Sequence, residues 1–226
     1  AAVRAERESA LNDYEQGRNT EAIAAMGRSL DHATRNGMPH EQAAAMRHLA
    51  IIKREQGDHH EAFDLAEQAL AFYREREDSQ SEAFTLLTLG LTALSLGRPG
   101  AASLIRSGLG LLTQLNMDVG KAQTHYVMAR LDLAEGRVAQ AIGHLDSARE
   151  PGRSSISSHF LAQVHSWLAE AFRIRGQDQE AQTSYLAART IYHEIGNRPA
   201  ADDLERLAAA LRPAEAERKD HGSGPR

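Results

Sequence analysis

Eleven histidines are the first residues of this 226-residue chain that could do chemistry. His59-His60-Glu61 falls at a helix start after a turn, a place where histidines are usually solvated. His40-Glu41 and His48 miss the His-Glu-x-x-His spacing that sets two imidazoles on one helical face. His125 and His165 hold equivalent places in adjacent repeats, with His159 close by in sequence, so they could approach one another. The expectation is that they are partly buried packing residues and hold no metal. The chain has no cysteine, which removes thiol catalysis, Cys-ligated zinc and disulfides. No Gly-x-Ser-x-Gly elbow occurs, and Ser154, Ser155, Ser157 and Ser158 read as helix-capping hydroxyls. Gly108 and Gly110 lie inside a helical pattern that follows no strand, so they mark close helix approach and not a phosphate loop. Asp202-Asp203 sits on a solvated face. These residues specify no reaction, and the expectation is a non-enzyme with no cofactor and no metal.

The composition narrows the classes further. A net charge of -5 and a pI near 6.1 leave no basic footprint for direct nucleic-acid binding. No apolar run approaches the roughly 20 residues that cross a bilayer, and no signal peptide or twin-arginine leader opens the sequence. A cytoplasmic location without membrane contact is the expectation. The chain starts at Ala1 and not at Met, so an upstream part is expected. Aromatic residues make up only 5%, so a core must come from Leu, Ile, Val and Ala, which favours helices.

Those elements are organised by a repeat. Gly-x-x-x-x-Ala recurs as Gly17/Ala22, Gly57/Ala62, Gly97/Ala102, Gly136/Ala141 and Gly176/Ala181, with glycine spacings of 40, 40, 39 and 40. Seven residues before each glycine stands a small residue: Ala10, Ala50, Gly90, Ala129 and Ala169. One helix runs up to each glycine and a second leaves it. The small residues let the two axes approach, and each pair leaves an apolar face for the next pair to cover. Helices are expected at 2–16, 20–35, 40–56, 59–76, 79–96, 99–116, 119–135, 138–149, 156–175, 178–195 and 199–212, with Pro99 just inside a helix start. Gly37-Met38-Pro39, Gly152 and Gly196-Asn197-Arg198-Pro199 punctuate the joins between pairs. The fold is then all-α, a right-handed α-solenoid of five antiparallel helix pairs plus a C-terminal capping helix. Residues 1–212 form that domain. Residues 213–226 lack apolar periodicity and are expected to be a disordered tail.

Over residues 2–212 the pattern resembles the tetratricopeptide repeat family in a long variant of about 40 residues. "RGQDQEAQTSYLAA" and "QGDHHEAFDLAEQAL" carry the turn glycine and the first alanine of the second helix. The family's tryptophan is replaced by Met46, Leu86, His125 and His165, and its closing proline is displaced. The resemblance implies that the first helix of each pair lines a concave groove. A stripe at helical spacing on those helices holds Arg7, Arg47 and Arg54, then Leu87, Leu91 and Leu94, then Tyr126, Arg130, Glu170 and Arg173. It implies a non-catalytic module for a protein or peptide partner with an apolar centre and acidic ends, a second copy of the chain being another occupant. Burial of the leucines in the core is the competing expectation. The Lys and Asn pair of co-chaperones that grip heat-shock tails is not matched, since Arg7 and Leu11 stand there. The repeats also look like sensor regions of bacterial transcription regulators. A ligand-responsive receptor and an accessory protein of a biosynthetic pathway stay open as alternatives.

Overall fold

The computed structural model of the protein describes residues 2–115, 121–150 and 157–211. Among them every regular element is a helix: α1 (Ala2–Glu15), α2 (Asn19–Arg35), α3 (Pro39–Glu55), α4 (His59–Glu75), α5 (Ser79–Ser95), α6 (Ala101–Gln114), α7 (Lys121–Ala134), α8 (Val138–Arg149), α9 (Ser158–Ile174), α10 (Asp178–Glu194) and α11 (Arg198–Ala210). Helices α1 to α10 form five sequential pairs that stack into an α-solenoid, and α11 packs on α10. The tail from 213 onward, Gly152 and the first two of the loop serines lie outside the described residues.

Local chemistry accounts for the boundaries. Gly17, Gly57, Gly97, Gly136 and Gly176 all take positive φ, between 62° and 91°, where a side chain is strained. Gly37 and Gly196 do the same between pairs, and Glu77 occupies the corresponding turn with φ of 55°. Asp78, Ser157 and Asn197 cap α5, α9 and α11 by accepting backbone N–H bonds from Ser81, Phe160 and Ala200. One join differs from expectation. Gly100, with φ of 86°, is the N-cap of α6, so Pro99 lies in the turn and not inside the helix.

The recurrent small residues sit where axes cross. Ala10, Ala50, Ala129 and Ala169 are completely buried. A Cβ at Gly90 would stand 2.6 Å from Ile105 Cγ1 and 3.1 Å from the Ile105 backbone nitrogen. At Gly108 it would meet the Ala83 carbonyl at 2.9 Å, whereas Gly110 faces open space. Close approach therefore explains Gly90 and Gly108, not Gly110.

Helix α5 is buried nearly all round, because α4, α6 and the flanking first helices α3 and α7 cover it. Its threonines tolerate this: Thr85, Thr88 and Thr92 donate to the carbonyls of Ser81, Phe84 and Thr88 at 2.7, 3.1 and 2.8 Å. Helix α11 buries Ala201, Leu204 and Ala208, while Leu207 is 46% exposed.

Candidate functional site

The first helices of successive pairs, α1, α3, α5, α7 and α9, carry all ten residues of the expected stripe. Their side chains fall into three groups. Leu87 and Leu91 are only 9% and 6% exposed and belong to one core with Ile105, Leu112 and Val164. They are closed off from an open docking stripe by α6, the pair partner of α5, and by α7, whose Tyr126 and Val127 join the same core. Leu94, three residues on, is half-buried at the edge of that core. Tyr126 is buried against Phe160, with ring centroids 5.4 Å apart.

Most of the arginines are already paired within the chain. Arg7 bonds Glu41. Arg54 is buried and donates to Glu55 at 2.5 Å. Burial alone would lower the Arg54 pKa, but the carboxylate of Glu55 reverses this and holds it above its ordinary value. Burial would likewise raise Glu55, and Arg54, with help from Arg130 and His159, keeps it below the usual carboxylate range. Arg173 grips Glu170 through Nε and a terminal nitrogen at 2.8 and 2.5 Å, and Tyr185 donates to Glu170 at 3.1 Å. These arginines answer acids of their own chain.

Arg47 and Arg130 differ: among the described residues neither has a carboxylate within ion-pair distance. Arg47 is wedged beside Tyr73, His48 and, at 6.0 Å, the Phe84 ring, and burial pulls its pKa down. Arg130 places its guanidinium carbon 3.7 Å from the Trp167 ring centroid and donates to the Tyr126 hydroxyl at 3.2 Å. Both Arg130 and Trp167 line a cavity of about 450 Å³ with His59, Leu94, Leu133, Glu170 and Ile174. Ile174 is 52% exposed there. The stripe thus reaches an opening at the C-terminal ends of α5, α7 and α9.

Trp167 and His59 were not among the expected site residues. The helical spacing that holds Glu170 and Arg173 also puts Ser166 on the stripe; Trp167 lies one place off it, and its being the chain's single tryptophan is the signal available. His59 was read as solvated, yet its Nδ1 is buried without a hydrogen-bond partner.

The histidines are rearranged relative to expectation. His125 pairs with His144, Nδ1 to Nδ1 at 3.0 Å, and not with His165, which lies beside Asp146 and Arg149. Burial, and then the neighbouring His144, lower the His125 pKa. No cluster of three or more His, Asp or Glu side chains that could hold a metal is assembled among the described residues.

A second feature could not be read from one repeat. Tyr14 of α1 meets α9 across the superhelix: its ring lies 4.7 Å from that of His159, and Gln163 donates to its hydroxyl at 3.3 Å. A Cβ on Gly17 would come within 2.2 Å of Asn197 Oδ1, so the first turn is pressed against the start of α11. Tyr192 stacks edge-on against His159 at 5.6 Å. Burial followed by the charge of Glu55 raises Tyr14 and Tyr192, and burial lowers His159.

Known proteins share this architecture. The tetratricopeptide repeat family model matches residues 2–75, the first two helix pairs. The regulatory protein AfsR of Streptomyces griseus is 24% identical over 192 residues, 85% of this chain. The chain spans only 19% of the length of AfsR. A Podosopora anserina protein with nearly identical TPR-like repeats of the kinesin-light-chain type superposes with a TM-score of 0.54 at 21% identity, over 85% of this chain and 95% of its own. A Rap protein complexed with competence and sporulation factor gives 0.61 at 14% identity, over 95% of this chain and 65% of its own. Both structures speak to the fold alone. Among the described residues no helix is long and apolar enough to cross a membrane.

Proposed function

We propose that this chain, a solenoid of tetratricopeptide repeats similar to part of a bacterial regulatory protein, is a non-catalytic interaction module that holds a segment of another protein on its concave side. The observation that carries the reading is the cavity at the ends of α5, α7 and α9, where an exposed Ile174, half-buried Leu94 and Leu133, and Arg130 without a carboxylate face solvent together. Large apolar side chains beside unsatisfied donors favour an amphipathic partner. The apolar centre of such a partner would sit on Leu94, Leu133 and Ile174 instead of Leu87 and Leu91. By resemblance to AfsR, the module would be the sensor or scaffold part of a larger regulatory protein, in keeping with the likeness of the repeats to sensor regions of bacterial transcription regulators.

The test is selection of binders from a random-peptide display library, followed by two charge insertions at exposed apolar residues. Ile174→Glu in the cavity should weaken the selected peptides at least tenfold. Leu186→Glu, on the second helix α10 and 42% exposed, should leave them unchanged. Equal effects at both positions would refute binding on the concave side.

A second reading, a receptor whose ligand alters solenoid curvature, is favoured by the meeting of Tyr14 with His159 and Gln163. A ligand entering between the first and fifth pairs would have to part them. Spin labels at exposed Glu15 and Arg198 would report a longer distance on ligand addition. An unchanged distance with ligand saturating would exclude it.

A further inference from the structure

We propose that the cavity between α7 and α9 receives a carboxylate carried on an aliphatic segment of the partner, with Arg130, poised over the Trp167 ring, as the group that binds it. The inference rests on the interaction-module reading above and names the chemistry of its site.

The argument begins with what Arg130 lacks. Three of the four other arginines of the stripe have spent their charge: Arg7 on Glu41, Arg54 on Glu55, Arg173 on Glu170. Arg130 carries five N–H donors, and the bond to the Tyr126 hydroxyl at 3.2 Å occupies one guanidinium nitrogen. The Trp167 contact, with the guanidinium carbon 3.7 Å from the ring centroid, is a cation–π contact that supplies no carboxylate to the guanidinium. Such a contact also fixes the fork before a ligand arrives, which reduces the ordering cost of binding.

The surroundings then decide the ligand. Glu170 lies on the cavity wall, but its oxygens are taken by Arg173 and Tyr185, so it does not neutralise Arg130. Glu55 is close enough to feel Arg130, yet its bonding partner is Arg54. His59 lines the same cavity, and its Nδ1 is buried without a hydrogen-bond partner. The rest of the wall is Leu94, Leu133, Ala134 and Ile174 with Ser95, whose hydroxyl donates to the Leu91 carbonyl. A single guanidinium among aliphatic walls matches one negative charge through two parallel hydrogen bonds. A phosphate dianion would bury a second charge with no cation to meet it. The volume of about 450 Å³ holds a few side chains. The carboxylate could come from an Asp or Glu side chain or from the partner's C-terminus.

Trp167 makes the test direct, because one tryptophan gives one indole N–H resonance. The protein would be titrated with acetyl-Leu-Leu-Glu-amide, its Gln analogue acetyl-Leu-Leu-Gln-amide, and acetyl-Leu-Leu with a free C-terminus. At least one of the two acids should shift the indole resonance saturably, and the tighter of them identifies the source of the carboxylate. The Gln analogue should bind at least tenfold more weakly. Arg130→Gln should erase the difference between Glu and Gln peptides while Arg130→Lys keeps part of it, with helical ellipticity as the fold control. If Arg130→Gln does not fold, the comparison of the tighter acid with the Gln amide on the wild-type protein still decides. The proposal is overturned if neither acid moves the resonance, or if the tighter acid binds no better than the Gln amide. In that event the wider groove reading still stands or falls on Ile174→Glu against Leu186→Glu.

Discussion

The α5–α6 pair and the meeting of α1 with α9 hold the same solenoid together by opposite means. Between α5 and α6 the contact is local in sequence and apolar, and Gly90 and Gly108 let backbone approach side chain and backbone. Between α1 and α9 the partners are 149 residues apart and polar: Tyr14 with Gln163 and His159, and nearby the Arg54–Glu55 pair. Dry packing of small residues gives a contact that charge and acid do not reach. A polar contact across the superhelix is open to both. The difference teaches where this molecule is rigid and where it can respond.

The largest effect should come from filling the local contact. Gly90→Leu puts atoms where Ile105 already stands on both side chain and backbone, and should cost about 3 kcal/mol or more by overpacking. Thermal unfolding followed by circular dichroism measures this. The contrast within α6 sharpens it: Gly108→Ala should destabilise, while Gly110→Ala, which meets nothing within 4 Å, should stabilise by roughly 0.5–1 kcal/mol.

Next, Glu55→Gln takes the carboxylate from buried Arg54 and should cost roughly 1–3 kcal/mol. Denaturant unfolding at neutral pH would detect it. If stability is unchanged, the polar meeting contributes less than its burial implies.

Acid should then separate the two regions. Burial, reinforced by Arg47 and Arg7, holds His48 down to about 3 against an ordinary 6.5. His159 is also lowered by burial. Because these folded-state values are depressed, the unfolded chain binds more protons as pH falls below 6.5. Their stabilising contribution is complete above that pH and is lost on acidification, by up to about 1.4 kcal/mol per pH unit for each histidine. No histidine lies between 79 and 114, so the α5–α6 pair has no such group. Hydrogen exchange at pH 5 should therefore show α1, α3 and α9 losing protection before α5 and α6. His159→Gln should flatten the stability profile near pH 6, and uniform loss of protection would contradict the contrast.

The smallest effect concerns a turn. Glu77 holds the left-handed conformation that glycines hold at the other described turns, so Glu77→Gly should raise stability by about 0.5–1 kcal/mol. A modest rise in the melting temperature is the measurement.

Helix positions were legible in the sequence because each depends on neighbours within one repeat. The turn glycine, the small residue seven places before it and the alanine after it place the helices of the five pairs to within about two residues of their described ends, with α6 starting at Ala101 after Pro99 and not at Pro99. The candidate site was legible only in part. Arg130 and Leu94 fell on the stripe and do line the cavity, whereas Leu87, Leu91 and Arg54 fell on the same stripe and are buried. Helical spacing states which face a residue occupies, not how far that face is covered by the next pair.

The sequence by itself determined the repeat, the pairing of helices and the places where their axes close, since periodicity and small residues act over seven to forty residues. Only the tertiary structure decided the curvature of the stack, and with it which arginines found acids, which leucines lost solvent and which tyrosine met the fifth pair. Curvature is the sum of small rotations at each join, and no single repeat records that sum. The partners it brings together, Tyr14 with Gln163 and Arg130 with Trp167, carry no spacing that one strand of sequence could reveal.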